Sequence, residues 1–360
     1  MYSETDLESA VIAGVLSTDA ANALRTHVAS QRLTPLVDEE NFRLLTGFND
    51  IFVSIAGVLL LVGALWIGGT LHPVVGAAAV AALAWGLSEY FTRTRRMALP
   101  SILFLLAFVG GIFGVTWFLL AVVGRIFWGV SPAVLIDGLL INDNHNTENA
   151  IVLALAAACA VGAAWAHWRR FKVPITIATG AAAGAGVVTA LLVAAVPAIE
   201  AQLYPLLLAL GLCVFAFAMR WDMQDRERIT RKSDVAFWLH LLAAPMIVHP
   251  IFSMLGVLDG NASIATAVIV VSLYIVMGII ALAVDRRALL VSALAYVVIA
   301  LIALFREFGA VSLNVAMAVF VIGSALLLLS AFWQHARAFI LGRLPNSVAG
   351  NLPVTAVALR

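Results

Sequence analysis

Charge is what this chain has least of: 20 acids and 21 bases in 360 residues, 11% of the total, against roughly a quarter in an ordinary soluble domain. A water-facing surface cannot be assembled from so few. Lysine is nearly missing, occurring only as Lys172 and Lys232 in connecting segments, which excludes a Schiff base to a retinal-like chromophore within the apolar runs. Only two cysteines occur, Cys159 and Cys213, both inside apolar runs, so neither a disulfide framework nor a thiolate metal site is expected. The net charge of +1 leaves no basic block on a soluble domain that could grip phosphates, and no nucleic-acid partner is expected. HExxH, P-loop, paired CxxC and Gly-x-Ser-x-Gly patterns do not occur. The reading is therefore of a protein that is not an enzyme and has no cofactor and no metal.

What the chain does have is apolar length. It is 63% hydrophobic, and its runs of eighteen or more apolar residues each suffice to cross a hydrocarbon core of roughly 30 Å as a helix. A backbone in lipid must satisfy its own hydrogen bonds, and long continuous runs argue for helices over the short alternating strands of a barrel. The predicted fold class is all-α, a polytopic helix bundle whose partner is the lipid bilayer. Ten spans are expected, near 50–69, 72–91, 98–123, 149–168, 173–196, 201–219, 234–258, 262–284, 287–305 and 310–333.

Orientation follows from Lys and Arg, which accumulate in cytoplasmic loops. Arg93, Arg95 and Arg96, then Arg169, Arg170 and Lys172, then Arg220, Arg226, Arg228, Arg231 and Lys232, then Arg286 and Arg287, and finally Arg337, Arg343 and Arg360 all fall on one side of a ten-span scheme, while the other side receives Arg125 and Arg306. Both termini are expected in the cytoplasm. The long external loop 124–148 contains IFWGVSPAVLIDGLL, broken by Ser131-Pro132 and carrying Asp137, which reads as an interfacial segment rather than an eleventh span. Its INDNHNTE stretch follows no calcium-loop spacing and reads as a solvated loop.

Residues 1–37 read as a cytoplasmic helical hairpin, with Gly14 at the break and Ser17, Thr18 or Asp19 capping the second helix. An amphipathic stem covers 38–49, the transmembrane domain 50–333 and a cytoplasmic tail 334–360. The absence of a long apolar run before Ile51 argues against a cleavable signal peptide. The segments LESAVIAGVLSTDAANALRTHVAS, DEENFRLL and IAGVLLLVGALWIGG, with Gly14-Val15-Leu16-Ser17 at the position of a "helix, Gly-Leu-Ile-Ser, helix" opening, resemble the start of a broad bacterial family of multi-span membrane proteins of unknown function. The resemblance covers about the first 70 residues. It implies a bacterial inner (cytoplasmic) membrane protein and transfers no functional residue.

Small residues four apart, Gly180 with Gly184 and Gly110 with Gly114, suit close helix packing in lipid. The most unusual stretch is SDVAFWLHLLAAPMIVHP, residues 233–250, with one acid, two histidines and two prolines in an apolar run. Asp234 suits the first helical turn. His240 lies about 9 Å deeper and His249 about 22 Å deeper, on roughly opposite faces of a straight helix. Pro245 and Pro250 free the carbonyls of Leu241 and Met246. Either the stretch is a kinked, internally satisfied structural helix, or it lines a wet cavity in which the histidines meet substrate or pass protons, since ionisable groups at membrane depth are functional suspects. Asp50, Glu89 and Asp234 are read as the only carboxylates within the spans. The candidate path residues are His249, His240, Asp234, Asn314 and Tyr274. The function expected is a permease for a small-molecule substrate, with this helix lining the path. The alternative is a non-transporting sensor or scaffold whose N-terminal hairpin recruits a cytoplasmic protein partner.

Overall fold

The computed structural model describes residues 4–31, 48–128, 146–226, 228, 230–256, 264–287, 289–290, 294, 298, 323–325, 329–330 and 332–353. Among these every regular element is helical. By contact the chain falls into two units, the first two helices in one and the remaining helices in the other.

In the smaller unit, α1 (Glu4–Ile12) and α2 (Thr18–Gln31) are joined by a turn in which Gly14 takes φ +71°. A side chain is strained in that left-handed region and glycine is not. Ser17 caps α2, its Oγ accepting the Ala20 amide at 3.1 Å.

The larger unit opens with α3 (Phe48–Leu71) and α4 (Pro73–Leu87), separated by a single residue. That residue, His72, is extended and caps α4, its Nδ1 accepting the Val74 amide, while Pro73 occupies the first helical position, where its missing N–H costs nothing. A π-helical turn, Ser88–Thr94, continues α4. There follow α5 (Ala98–Trp128), α6 (Asn146–Phe171), α7 (Ile175–Ala195), a 3₁₀ turn at Pro197–Gln202, α8 (Leu203–Met223), α9 (Arg231–Met254), α10 (Ile264–Val284), α11 (Trp333–Leu341) and the short α12 (Asn346–Ala349).

Among the described residues seven helices are long and apolar enough to cross a membrane: α3, α4 with its π turn, α5, α6, α7, α8 with its 3₁₀ turn, and α9. They coincide with the first seven predicted spans. Helix α10 continues the apolar pattern over Val268–Val284. The predicted spans at 287–305 and 310–333 lie almost wholly outside the described residues, as does most of the 124–148 loop. At the α8–α9 junction the helices extend further than the sequence reading put them. Helix α8 runs to Met223 rather than 219, and α9 begins at Arg231 rather than 234. Windows of apolarity stop at the first charge, whereas a helix continues as long as that charge finds a partner.

Packing proceeds along the chain and then turns inward. Phe104 joins α3, α4 and α5. Leu105, Val109, Ala160 and Ala164 join α5 to α6, and Ala178, Val214, Leu239 and Ala243 join α7, α8 and α9. Val248 and Phe252 of α9 then meet Val270, Met277 and Ala281 of α10. Helix α9 is thus packed on several sides, whereas α3 presents Phe52, Leu59 and Trp66 outward, each about two-thirds exposed or more. Outward apolar side chains in that density belong against hydrocarbon.

Close helix approaches are made by glycines other than the two spaced pairs, Gly68 against Gly76 between α3 and α4 among them. A Cβ on Gly211 of α8 would lie 2.9 Å from the backbone of Met246, and one on Gly111 of α5 would lie 2.8 Å from that of Ala81. Of the predicted pairs, Gly114 meets Ala77 and Gly180 meets Ala164, while Gly110 and Gly184 face open space. Spacing alone marks a face but not what covers it.

Candidate functional site

Where α8 ends and α9 begins, the chain buries a set of ionisable side chains. The last turn of α8 places Asp222 inward with no exposed surface. From α9, His240 reaches it, Nε2 lying 2.8 Å from Asp222 Oδ2. Because Asp222 also receives the Arg286 guanidinium, it is a carboxylate that only accepts, so Nε2–H is the donor. Arg286 is itself buried, and the Nη2 that reaches Asp222 also lies 3.0 Å from the Ser233 carbonyl and 3.3 Å from the Ser233 hydroxyl. Phe215 meets the His240 ring edge-on at 5.1 Å, and His240 Nδ1 has no hydrogen-bond partner among the described residues.

A second centre forms around the neighbouring Asp285. Its carboxylate takes the Arg228 guanidinium at 2.9 Å, the Trp333 indole N–H at 2.6 Å and the Arg337 guanidinium at 3.5 Å. Asp285 and Arg228 both have left-handed backbones, φ +60° and +57°. For Asp285 the reason is a helix C-terminus: the Arg286 amide donates to the Ala281 carbonyl at 2.9 Å, closing α10 in the manner of a Schellman turn. Arg228 also caps that end, donating to the carbonyls of Val284 and Asp285. Burial, and then the like charge of Arg286, pull Arg228 below the usual arginine range against the attraction of Asp285. The guanidinium nevertheless stays protonated at any pH a cell reaches.

Both centres rest on a rigid start to α9. Thr230 caps the helix, and Asp225 accepts the Thr230 amide, the Thr230 hydroxyl and the Ser233 amide at 2.9, 2.6 and 3.2 Å. Arg226 and Arg337 hold the carbonyls of Leu352 and Pro353, which ties the end of the described chain to the same region. Polar groups this deep hold together only when nearly all are satisfied, and a satisfied network fixes one arrangement of its helices.

The candidate residues fare differently. His240 is a member of the network, which agrees with the internally satisfied alternative for that residue. Asp234 stands half-buried in the first turn of α9, within the field of Arg286 and Arg231. Asp234 lies in that first turn as expected, while the cap itself is Thr230, held by Asp225. His249 is half-buried with Tyr204 edge-on at 6.0 Å and is not brought to His240. Tyr274 packs against the cluster of Val248, Phe252, Val270 and Met277, its hydroxyl buried without a hydrogen-bond partner among the described residues. Asn314 lies outside the described residues.

Sequence reasoning missed Asp222, Asp285, Arg228, Arg286, Arg337 and Trp333. Asp222 is a further carboxylate within a span, because α8 extends past the point where its apolar run ends. The arginines were read as markers of sidedness, yet Arg286 and Arg337 are at most 1% exposed. The available signal was the pair Asp285-Arg286 set directly against the end of an apolar run. A further buried histidine, His167 of α6, was also passed over. It sits among Trp85, Phe108 and Phe171, with Thr176 Oγ1 3.4 Å from its Nδ1.

Among the described residues no three His, Cys, Asp or Glu side chains converge on a point where a metal could sit. Comparison with protein-family models, with curated proteins and with solved structures finds no match to this chain.

Proposed function

We propose that this chain is a multi-pass protein of a bacterial inner membrane that acts as a permease for a small solute, with α9 lining the path and the Asp222–His240–Arg286 cluster closing one end of it. The observation that carries the reading is the convergence on Asp222 of a histidine from α9 and an arginine that follows α10. Three ionisable groups at that depth are costly to keep, and in membrane proteins such groups commonly couple or gate movement. The cluster joins the end of α8, the start of α9 and the segment after α10, so parting them requires Arg286 and His240 to leave Asp222. Apolar outer faces and the resemblance of the opening segment support the membrane and the bacterial setting. This reading assigns no enzymatic step, cofactor or nucleic-acid partner.

The test is accessibility together with flux. In a chain with Cys159 and Cys213 replaced by Ala, His249→Cys is expected to react with a membrane-impermeant thiol reagent in intact vesicles, and faster when Asp222→Asn is added. No reaction in either background removes α9 from the path. His249→Ala is expected to abolish a measured solute flux while leaving expression intact; normal flux would remove the role of that residue.

A second reading is favoured by α1 and α2 forming a compact unit of their own: a sensor or scaffold whose N-terminal helices recruit a cytoplasmic protein. Deleting residues 1–35 would then abolish the cellular phenotype with the bundle still folded, whereas a permease would largely survive the cut.

A further inference from the structure

We infer that the end of the bundle formed by the α4–α5 and α6–α7 connections is a binding site for the phosphodiester headgroup of an anionic glycerophospholipid. The π turn after α4 and the last turn of α6 are drawn together by Glu89, which accepts two hydrogen bonds from Arg170, at 2.7 and 3.0 Å, and one from Arg93 at 3.3 Å. This fixes two otherwise separate basic turns side by side. Arg95 and Arg96 come from one, Arg169 and Lys172 from the other, and all four are exposed with no carboxylate partner among the described residues.

Their positions are set by aromatic rings instead of acids. The Arg95 guanidinium donates to the Tyr90 hydroxyl at 3.1 and 3.3 Å and lies over its ring; Arg169 lies over Trp165 at 5.0 Å and Lys172 over Trp168 at 5.2 Å. Tyr90 and Trp165 are themselves about half-exposed or more. Arg96 and Lys172 take left-handed backbones, φ +53° and +56°, which turn the chain at once from one span into the next. The cations therefore do not extend beyond the helix ends on loops. They stay within a turn of the apolar spans, at the depth where phosphate groups lie and where amphipathic rings prefer to sit. An acidic protein would have to approach through that layer, whereas a lipid phosphate is already in it. A single diester would take donors from both turns, and basic recesses between spans hold anionic headgroups in this way.

The inference rests on α3–α9 being membrane spans, and the experiment separates the two. The full chain is purified in a neutral detergent and its affinities for phosphatidylglycerol, cardiolipin and phosphatidylcholine are measured by native mass spectrometry. The comparison variant carries Arg95→Gln, Arg96→Gln and Lys172→Gln, which leaves the Glu89–Arg170–Arg93 clamp and its fold in place. The wild-type chain is expected to prefer the anionic lipids, and the variant to lose that preference by about tenfold or more. An equal preference in the variant, or equal binding of phosphatidylcholine, overturns the site. Inorganic phosphate competing as well as the lipid would identify a free-anion site and overturn the lipid assignment. A chain that stays monodisperse in water without detergent would instead remove the membrane reading beneath it.

Discussion

The two ends of the larger unit hold their helices together by different means. From α3 to α7 the contacts are small and apolar: alanines of α4, α6 and α7, glycines at two crossings, and rings such as Phe104 in the gaps. The ion pair between helices there, Glu89 with Arg170, is at the rim and partly exposed, and the buried contact of His167 with Thr176 at 3.4 Å pairs no opposite charges. From α8 to α11 the helices are joined by buried charges, with Asp222 and Asp285 each gripping several donors. Lipid gives no hydrophobic drive for helix association, so close backbone approach and charge pairing are two solutions to one problem. The first tolerates small slides. The second holds one geometry until a pair breaks.

That contrast can be tested in graded steps. Asp222→Ala strands Arg286 and His240 in a dry site and is expected to destabilise the chain by about 3–5 kcal/mol, read as a large loss of melting temperature in detergent, whereas Glu89→Gln is expected to shift it hardly at all because exposed pairs contribute little. Equal effects would erase the distinction between the two regions. At the α8–α9 crossing, Gly211→Ala would press a methyl into the Met246 backbone and cost about 1–3 kcal/mol. A smaller effect has the opposite sign: Gly184→Ala, facing open space, is expected to stabilise α7 by about 0.5–1 kcal/mol through helix propensity.

Much of the fold was legible because span length and apolarity are properties of the local sequence. The first seven spans fall where continuous apolarity puts them, and Ser17 caps α2 as its position suggests. The buried cluster was not legible, and the reason is physical. Asp222 and His240 are 18 residues apart and Asp222 and Arg286 are 64 apart, so no local pattern links them. In isolation each looks like a solvated loop charge. Arginine at the end of a span serves two purposes, marking the cytoplasmic side and neutralising a buried acid, and composition cannot tell them apart. His240 drew notice because an imidazole in an apolar run has no second explanation. Arg286 did not, because it had one.

Helix α9 is continuous from Arg231 to Met254 although Pro245 and Pro250 lie inside it. Neither proline has an amide hydrogen to give, so the segment from Leu241 to Pro250 lacks two of the struts that stiffen an ordinary helix. Its first half is clamped by Asp225 and Asp222, and in its far half Val248 and Phe252 pack against Val270, Met277 and Ala281 of α10. A rod clamped near one end and notched beyond the clamp yields first at the notch, so any bending of α9 displaces His249 and Met254 relative to the clamped turns.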